Sequence, residues 1–179
     1  MIETPGRAGA STIGHMKTKI ITIVGKSDSG KTTLLEKLIA ELIQRGYRIG
    51  TVKHTHHEFE MDTEGKDSWR HRKAGAHATL VISKDKIAMV RDDRTSDIEK
   101  MQTYLLGMDI ILAEGFKRQA LPKIEIFRTN SGHKEPLCME DDTLIAFVTD
   151  SGYKPDVPVF GLEDIGRISD FIEENHLRK

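Results

Sequence analysis

The chain has 179 residues, a formal net charge of −1 and 31% charged residues. This length suits one domain of ordinary size with its own hydrophobic core. The nearly neutral charge excludes a general attraction to nucleic acid or to anionic membranes, and no apolar stretch approaches the length of a membrane span. The single cysteine, Cys138, excludes an intrachain disulfide and indicates a reducing, cytoplasmic setting.

Residues 1–16 differ in composition from the rest of the chain. They are rich in small and turn-forming residues, lack an apolar core segment and end in Gly-His-Met. We interpret them as a disordered leader or an expression-tag remnant and exclude them from the fold prediction. Residues 17–179 are predicted to form a single domain.

The first predicted elements are a buried strand over residues 20–24 and a helix over residues 32–45. Between them, residues 25–32 read GKSDSGKT, which fits the phosphate-loop pattern Gly-x-x-x-x-Gly-Lys-Thr. Glycines let the backbone turn tightly, so that successive N–H groups and the helix N-terminus face an anion. Lys31 supplies a cation for the phosphates, and the Thr32 hydroxyl can ligate Mg²⁺. The segment therefore predicts a nucleoside triphosphate site.

A strand predicted over residues 48–54 leads into a polar, histidine-rich loop. His54, His56 and His57 lie where this strand ends, and two histidines at this spacing can contribute to a metal site. The single cysteine is distant, and no His-x-x-x-His pair exists to complete such a site on a helix. Phosphate contacts and a solvated polar loop therefore remain open as alternatives.

A short helix is predicted over residues 66–73. Asp67 lies near its start, where an acidic side chain commonly caps a helix. The alternative is that Asp67 joins the region that holds Mg²⁺ and the attacking water. The residues leave both interpretations open.

A β-hairpin is predicted from residues 78–82 and 87–90, which are rich in β-branched and apolar residues and flank a polar turn. We expect it as an antiparallel addition to the main sheet. Ser96 is predicted to cap the following helix, which reaches about residue 106.

The next predicted strand, residues 109–113, runs into Glu114 and Gly115. Nucleotide-binding enzymes place an acid at such a strand end to hold Mg²⁺, directly or through water. A glycine after the acid lets a backbone N–H approach the terminal phosphate. Glu114 is therefore the second predicted site residue, and Gly115 its companion.

Asp150 follows a strand predicted over residues 144–149. A carboxylate there can accept hydrogen bonds from the N1–H and amino group of guanine, and adenine offers no matching pair of donors. The full Asn-Lys-x-Asp motif for reading guanine is absent. The choice of GTP over ATP thus rests on this one aspartate.

Strands that alternate with helices indicate an α/β fold with a mainly parallel sheet flanked by helices. Ligands of such sheets bind at the carboxyl ends of the strands, so the loops described above are expected to converge. The remaining predicted elements are strands over residues 123–127 and 157–160 and a C-terminal helix over residues 163–175.

These motifs resemble the MobB family of molybdopterin-guanine dinucleotide biosynthesis adapter proteins over about residues 19–172. Besides the phosphate loop, the resemblance is carried by VKHTHH at 52–57, GKDS at 65–68, RKAGA at 72–76 and EGFK at 114–117. It implies a P-loop NTPase fold of the MinD-like class, binding of GTP with Mg²⁺, slow hydrolysis and a homodimer. It also implies a MobA-type transferase as partner, with molybdopterin as a second candidate ligand.

Mapped onto this sequence, the expected catalytic residues are Lys31, Glu114 and Asp67, and the expected magnesium ligands are Thr32 and Glu114. Asp67 and the His54 loop form a secondary set. Lys26 stands where MinD-like proteins carry a lysine that reaches across the dimer, although a solvated lysine is an equal alternative. The expected nucleotide contacts are Gly25, Lys26, Ser27, Asp28, Ser29, Gly30, Lys31, Thr32, Thr33, Gly115 and Asp150.

The sequence leaves two alternatives to a GTP-binding adapter with weak GTPase activity. One is a nickel- or zinc-delivery GTPase that uses the His54 loop, and the other is a small-molecule kinase. Slow hydrolysis is expected because Phe116 and Lys117 follow Gly115, where a glutamine would orient water, and no arginine finger is evident.

Overall fold

The computed structural model describes residues 17–55, 59–60 and 62–178. Strands and helices alternate along much of this range, as the α/β prediction requires. In chain order the elements are β1 (Lys19–Val24), α1 (Lys31–Gln44), β2 (Ile49–Lys53), α2 (Asp67–Lys73), β3 (Ala78–Ile82), β4 (Ile87–Arg91), α3 (Asp97–Tyr104), β5 (Ile110–Glu114), β6 (Lys123–Phe127), β7 (Leu144–Thr149), β8 (Val159–Phe160) and α4 (Ile165–Ile172), which continues as a π-helical segment, Glu173–Leu177.

Six of the strands form one sheet in the order β2-β5-β1-β6-β7-β8, and all of its neighbouring pairs are parallel. The predicted α/β class is confirmed. The hairpin is also present, but among the described strands β3 and β4 pair only with each other and form a separate antiparallel sheet. Among the described residues, no helix is both long and apolar enough to cross a membrane.

The two faces of the main sheet are covered differently because side chains alternate along each strand. One face packs against α1 and α4, whose buried apolar residues include Leu38 and Ile168. On the other face, α3 contributes Met101, and the irregular segment after β5 contributes Phe116 and Leu121. The first face is therefore a conventional helix-on-sheet core, while loops cover much of the second.

Local signals account for several element ends. Ser96 accepts a hydrogen bond from the backbone N–H of Glu99, whose side chain accepts one in return from the Ser96 N–H, so the predicted cap is a full capping box. The last strand is shorter than predicted, because Pro158 has no N–H and sheet pairing begins at Val159. The C-terminal helix begins at Ile165 and changes to π geometry at Glu173.

The register brings several strand ends to one level. Glu114, the last residue of β5, pairs with Ile23 of β1 and with Lys53 of β2. On the other side, Val24 pairs with Glu125, so β6 runs two residues further before it ends at Phe127. The loop after β1 is therefore flanked by the end of β5 on one side and by the last residues of β6 on the other.

The core of the first face makes a direct stability prediction. Leu38 of α1 is completely buried, so Leu38→Ala should lower the free energy of unfolding by about 2–5 kcal/mol through lost burial and a residual cavity. Ile43 lies on the same helix but is 55% exposed, and Ile43→Ala should change stability by less than about 1 kcal/mol. Urea denaturation measures both; equal losses would contradict the packing described here.

Candidate functional site

The loop after β1, residues 25–30, has a backbone that only certain residues allow. Gly25 has φ +149°, and a Cβ there would lie 2.5 Å from the carbonyl oxygen of Ile126 and 2.6 Å from the Oγ of Ser29. Gly30, at the N-cap of α1, has φ +95°. Asp28 also has positive φ, at 59°, which aspartate tolerates better than most residues. The loop is thus a tight turn pressed against β6.

Two polar side chains line the interior of this loop. The Lys31 ammonium donates a hydrogen bond to the carbonyl oxygen of Lys26 at 2.8 Å, which spans the loop. The Ser29 side chain is 1% exposed, and its Oγ has no hydrogen-bond partner within the described residues. A buried hydroxyl without a partner is costly, so the loop suits a ligand rich in hydrogen-bond acceptors, such as a phosphate chain.

Thr32 and Glu114 meet beside the loop. The Thr32 hydroxyl lies in the first turn of α1 and donates to Glu114 Oε2 at 3.2 Å. The contact exists because β5, which ends in Glu114, lies next to β1, which leads into the loop. A hydroxyl and a carboxylate are the hard oxygen donors that Mg²⁺ prefers, so the pair fits the predicted metal ligands. Thr33 follows in the same turn and is exposed.

The chain turns back into the protein directly after Glu114. The Gly115 N–H, which was predicted to face the terminal phosphate, donates instead to the carbonyl oxygen of Ile23 in β1 at 3.1 Å. Phe116 has φ 58°, is 6% exposed and packs with its ring centroid 4.7 Å from that of His54. The position after Gly115 therefore holds a buried aromatic ring.

The His54 loop is only partly described. His54 donates its backbone N–H to the carbonyl oxygen of Glu114 at 3.0 Å, and its Nε2 lies 3.8 Å from Asp97. His56 and His57, two other members of the predicted cluster, lie outside the described residues. Within the part of the chain that is described, no three His, Cys, Asp or Glu side chains group as a metal site. The single cysteine does not offer a thiolate ligand, because burial raises the pKa of the Cys138 thiol to about 12 and the thiol stays protonated at neutral pH.

None of these contacts involves Asp67. Its side chain is 91% exposed and lies 4.0 Å from Arg70 on the same helix, α2, which has no buried residue. In the described ranges, no hydrogen bond or ion pair joins Asp67 to the phosphate loop.

Asp150 directly follows β7 and is tied to the loop that follows β6. Its Oδ1 accepts hydrogen bonds from the backbone N–H of Thr129 at 2.7 Å and from the Thr129 hydroxyl at 3.0 Å. The Thr129 N–H holds the pKa of Asp150 below its usual value, so the carboxylate is ionised at neutral pH. A cavity of about 400 Å³ opens beside it, lined by Phe127, Thr129, Gly132, His133, Lys134, Ser151 and Tyr153.

Sequence reasoning missed the segment between β6 and β7, residues 128–143, which also touches the phosphate loop. His133 Nε2 lies 3.1 Å from the carbonyl oxygen of Ser27. The Arg128 side chain packs on Gly30, with its Cδ 3.4 Å from the position that a Cβ would occupy. The sequence feature that could have indicated this segment is Glu125, an acid at the centre of strand β6. A buried carboxylate needs hydrogen-bond donors, so a nearby segment had to supply them.

Together, the sheet order, the loop after β1 and the acid at the end of the adjacent strand define a P-loop nucleotide-binding fold. The sequence matches the family described as molybdopterin guanine dinucleotide synthesis protein B, MobB, over residues 20–150. The chain belongs to the MobB family, which confirms the resemblance found in the sequence.

Relatives and solved structures agree with this assignment. The molybdopterin-guanine dinucleotide biosynthesis adapter protein of Escherichia coli is 37% identical over 168 residues, covering 90% of this chain and 95% of the relative. That of Haemophilus influenzae is 37% identical, covering 86% and 87%. The crystal structure of Bacillus subtilis MobB is 27% identical and superposes with a TM-score of 0.67, covering 87% of this chain and 96% of that one.

The close approach of Gly25 to β6 predicts a large effect of one methyl group. Gly25→Ala should lower the free energy of unfolding by about 2–5 kcal/mol, because an unfavourable φ adds to a clash with the Ile126 carbonyl. Gly46→Ala is the control, since Gly46 also has positive φ, +91°, but no atom lies within 4 Å of its added Cβ. It should lose only about 1–2 kcal/mol. Equal losses in urea denaturation would show that the clash is absent.

Proposed function

We propose that this member of the MobB family binds GTP with Mg²⁺ at residues 25–33 and acts as an adapter in molybdopterin guanine dinucleotide biosynthesis. The observation that carries the proposal is the contact of Thr32 with Glu114, at 3.2 Å, beside a loop whose buried Ser29 hydroxyl has no partner among the described residues. The printed names of the relatives from Escherichia coli and Haemophilus influenzae support the adapter role.

The loop backbone, Lys31, Thr32 and Glu114 each have a defined part in this proposal. The backbone N–H groups and the start of α1 face the phosphates, and the Lys31 ammonium adds a full positive charge. Thr32 and Glu114 would hold Mg²⁺, which when bound neutralises part of the phosphate charge. The geometry of Lys31, 2.8 Å from the Lys26 carbonyl, keeps its ammonium inside the loop.

Asp150 is the proposed reader of guanine. Its Oδ1 is fixed by Thr129, which leaves Oδ2 as the acceptor, and a lowered pKa keeps the carboxylate charged. As an ionised carboxylate oxygen, Oδ2 can accept from the N1–H of guanine, with the amino group as a neighbouring donor, and it repels the N1 acceptor of adenine. A preference for GTP over ATP is the expected result.

The proposed hydrolysis is slow. Phe116, after Gly115, is 6% exposed and packs on His54, so it has neither the position nor the chemistry to orient a water. Asp67 remains a candidate for that role, but its side chain is exposed on α2. A partner that completes the site would therefore raise turnover, and we propose that this partner is a MobA-type transferase in the cytoplasm, with molybdopterin as a further ligand.

Nucleotide binding tests the proposal directly. Calorimetry should show Mg²⁺-dependent binding of GTP and GDP in preference to ATP. Lys31→Ala should weaken GTP binding by about tenfold to a hundredfold, because it removes charge-assisted hydrogen bonds to phosphate. Lys37→Ala is the control, since it removes the same charge from α1 at a residue whose partner is Glu163.

Variants of the two proposed magnesium ligands test the metal site separately in the same binding experiment. Thr32→Val and Glu114→Gln should each lower the gain in GTP affinity that Mg²⁺ provides, and should change the metal-free affinity much less. A preference for ATP, or a Lys31→Ala variant that binds GTP like wild type, would contradict the proposal. Measuring GTP turnover with and without the transferase tests the partner separately.

The hairpin supports the proposed homodimer. Leu80 pairs with Met89 and Ile82 pairs with Ile87, so these four apolar side chains share one face of the two-stranded sheet. They are between 42% and 74% exposed. An exposed apolar face of this kind is typical of a contact with another protein surface, and a second copy of the chain is the proposed occupant.

Light scattering tests the dimer. The double variant Ile82→Lys, Ile87→Lys should shift the chain from dimer to monomer, because it puts two charges on the apolar face. The double variant Val81→Lys, Ala88→Lys, at two paired positions on the opposite face of the hairpin, is the matched control and should leave the mass unchanged. A wild-type chain that is monomeric at micromolar concentration would refute the dimer.

A further inference from the structure

The segment that follows β6 is held firmly against the phosphate loop. Glu125 is completely buried, and its carboxylate accepts from the backbone N–H groups of Leu137 and Cys138 at 2.5 and 2.8 Å. Thr129 is fixed by the Asp150 carboxylate, and His133 lies 3.1 Å from the carbonyl oxygen of Ser27. These contacts tie the segment to Asp150 near its start, to the phosphate loop at His133 and to β6 at Leu137 and Cys138.

Arg128 is the first residue of this segment and lies beside the N-terminus of α1. Its Cδ lies 3.4 Å, and its Nη1 3.9 Å, from the position that a Cβ would take on Gly30. The side chain therefore covers the loop from the β6 side. Its charge also helps to lower the pKa of Asp150, the proposed reader of guanine.

Among the described residues, the Arg128 guanidinium has no hydrogen-bond or ion-pair partner. The residue is exposed, and only its backbone carbonyl is engaged, accepting hydrogen bonds from the N–H and hydroxyl of Ser131. Other arginines near carboxylates are engaged: Arg45, for example, contacts Glu41, Asp170 and Glu173. A planar cation with several donors, unpaired at the rim of an anion-binding loop, is well suited to two-pronged contact with a phosphate group.

We propose that Arg128 is an additional nucleotide-contacting residue, whose guanidinium donates hydrogen bonds to a phosphate oxygen of the nucleotide bound at residues 25–33. The inference rests on the proposed function of that loop and adds to it a cation from the segment that follows β6. Lys31 approaches the phosphates from α1, whereas Arg128 approaches from the end of β6. Nucleotide binding would thus join the β6–β7 segment to the phosphate loop.

Competition binding tests this assignment. A fluorescent GDP analogue is bound to the full chain with Mg²⁺ and displaced by GDP or by inorganic tripolyphosphate, which reports on phosphate contacts alone. Arg128→Ala should weaken both competitors by about tenfold to a hundredfold, as expected for lost charge-assisted hydrogen bonds. Arg128→Lys should fall between, because it keeps the charge but not the fork.

The control is Arg48→Ala, which removes the same charge from the opposite edge of the sheet. Arg48 directly precedes β2, its side chain is 68% exposed, and it lies 3.6 Å from Asp109. This variant should bind both competitors like wild type. Thermal unfolding is measured for every variant, so that a folding defect is recognised.

The possible results distinguish a failure of the Arg128 contact from a failure of the proposed GTP site. Arg128→Ala binding that equals wild type would overturn the inference and leave the proposed GTP site intact. If Arg128→Ala weakens the binding of GDP but not that of tripolyphosphate, Arg128 contacts the base or the ribose, and the proposed phosphate contact is wrong. If Arg128→Ala also lowers the melting temperature, the Arg128→Lys variant distinguishes a folding defect from a lost contact. A normal melting temperature with weakened nucleotide binding in Arg128→Lys supports the contact. A normal melting temperature with wild-type nucleotide binding refutes it. No binding by wild type would defeat the proposed function itself.

Discussion

The adjacency of β1 and β5 is the constraint on which the candidate site depends. These strands are far apart in the sequence, yet their parallel register sets Glu114 level with Ile23, one residue before β1 ends. Only this arrangement lets a carboxylate from one strand accept a hydrogen bond from Thr32, in the helix that follows the other. The phosphate loop supplies backbone donors by itself, but the acid beside it comes from the order of the sheet.

Local patterns were enough to predict the features whose interactions are local. The phosphate loop, the Ser96 capping box and the β-hairpin each depend on residues close together in the sequence, and each is present. The order of the strands could not be predicted, since it depends on contacts between distant segments. For the same reason, the pairing of Asp150 with Thr129 and the packing of Arg128 on Gly30 were not foreseen. No local pattern marks either pair.

Buried charge organises the second face of the sheet, much of which is covered by loops. The Lys123 side chain is 2% exposed; its ammonium donates to the Gln119 carbonyl and the Thr143 hydroxyl and lies 3.1 Å from Asp141. Glu125, two residues later on the same face, binds two backbone N–H groups of the segment above it. A buried ion is stable only with such partners, so each one fixes the loop that supplies them.

The separation of the hairpin from the main sheet affects how the protein unfolds. An isolated pair of strands is only marginally stable in water, and β3 and β4 have no hydrogen-bonded neighbour among the described strands. A surface that covers the face formed by Leu80, Ile82, Ile87 and Met89 would therefore add to the contact of α2 with β3 in keeping the pair ordered. If a second copy does so, dilution would loosen the hairpin first and spare the six-stranded core, giving two transitions of which only one depends on concentration.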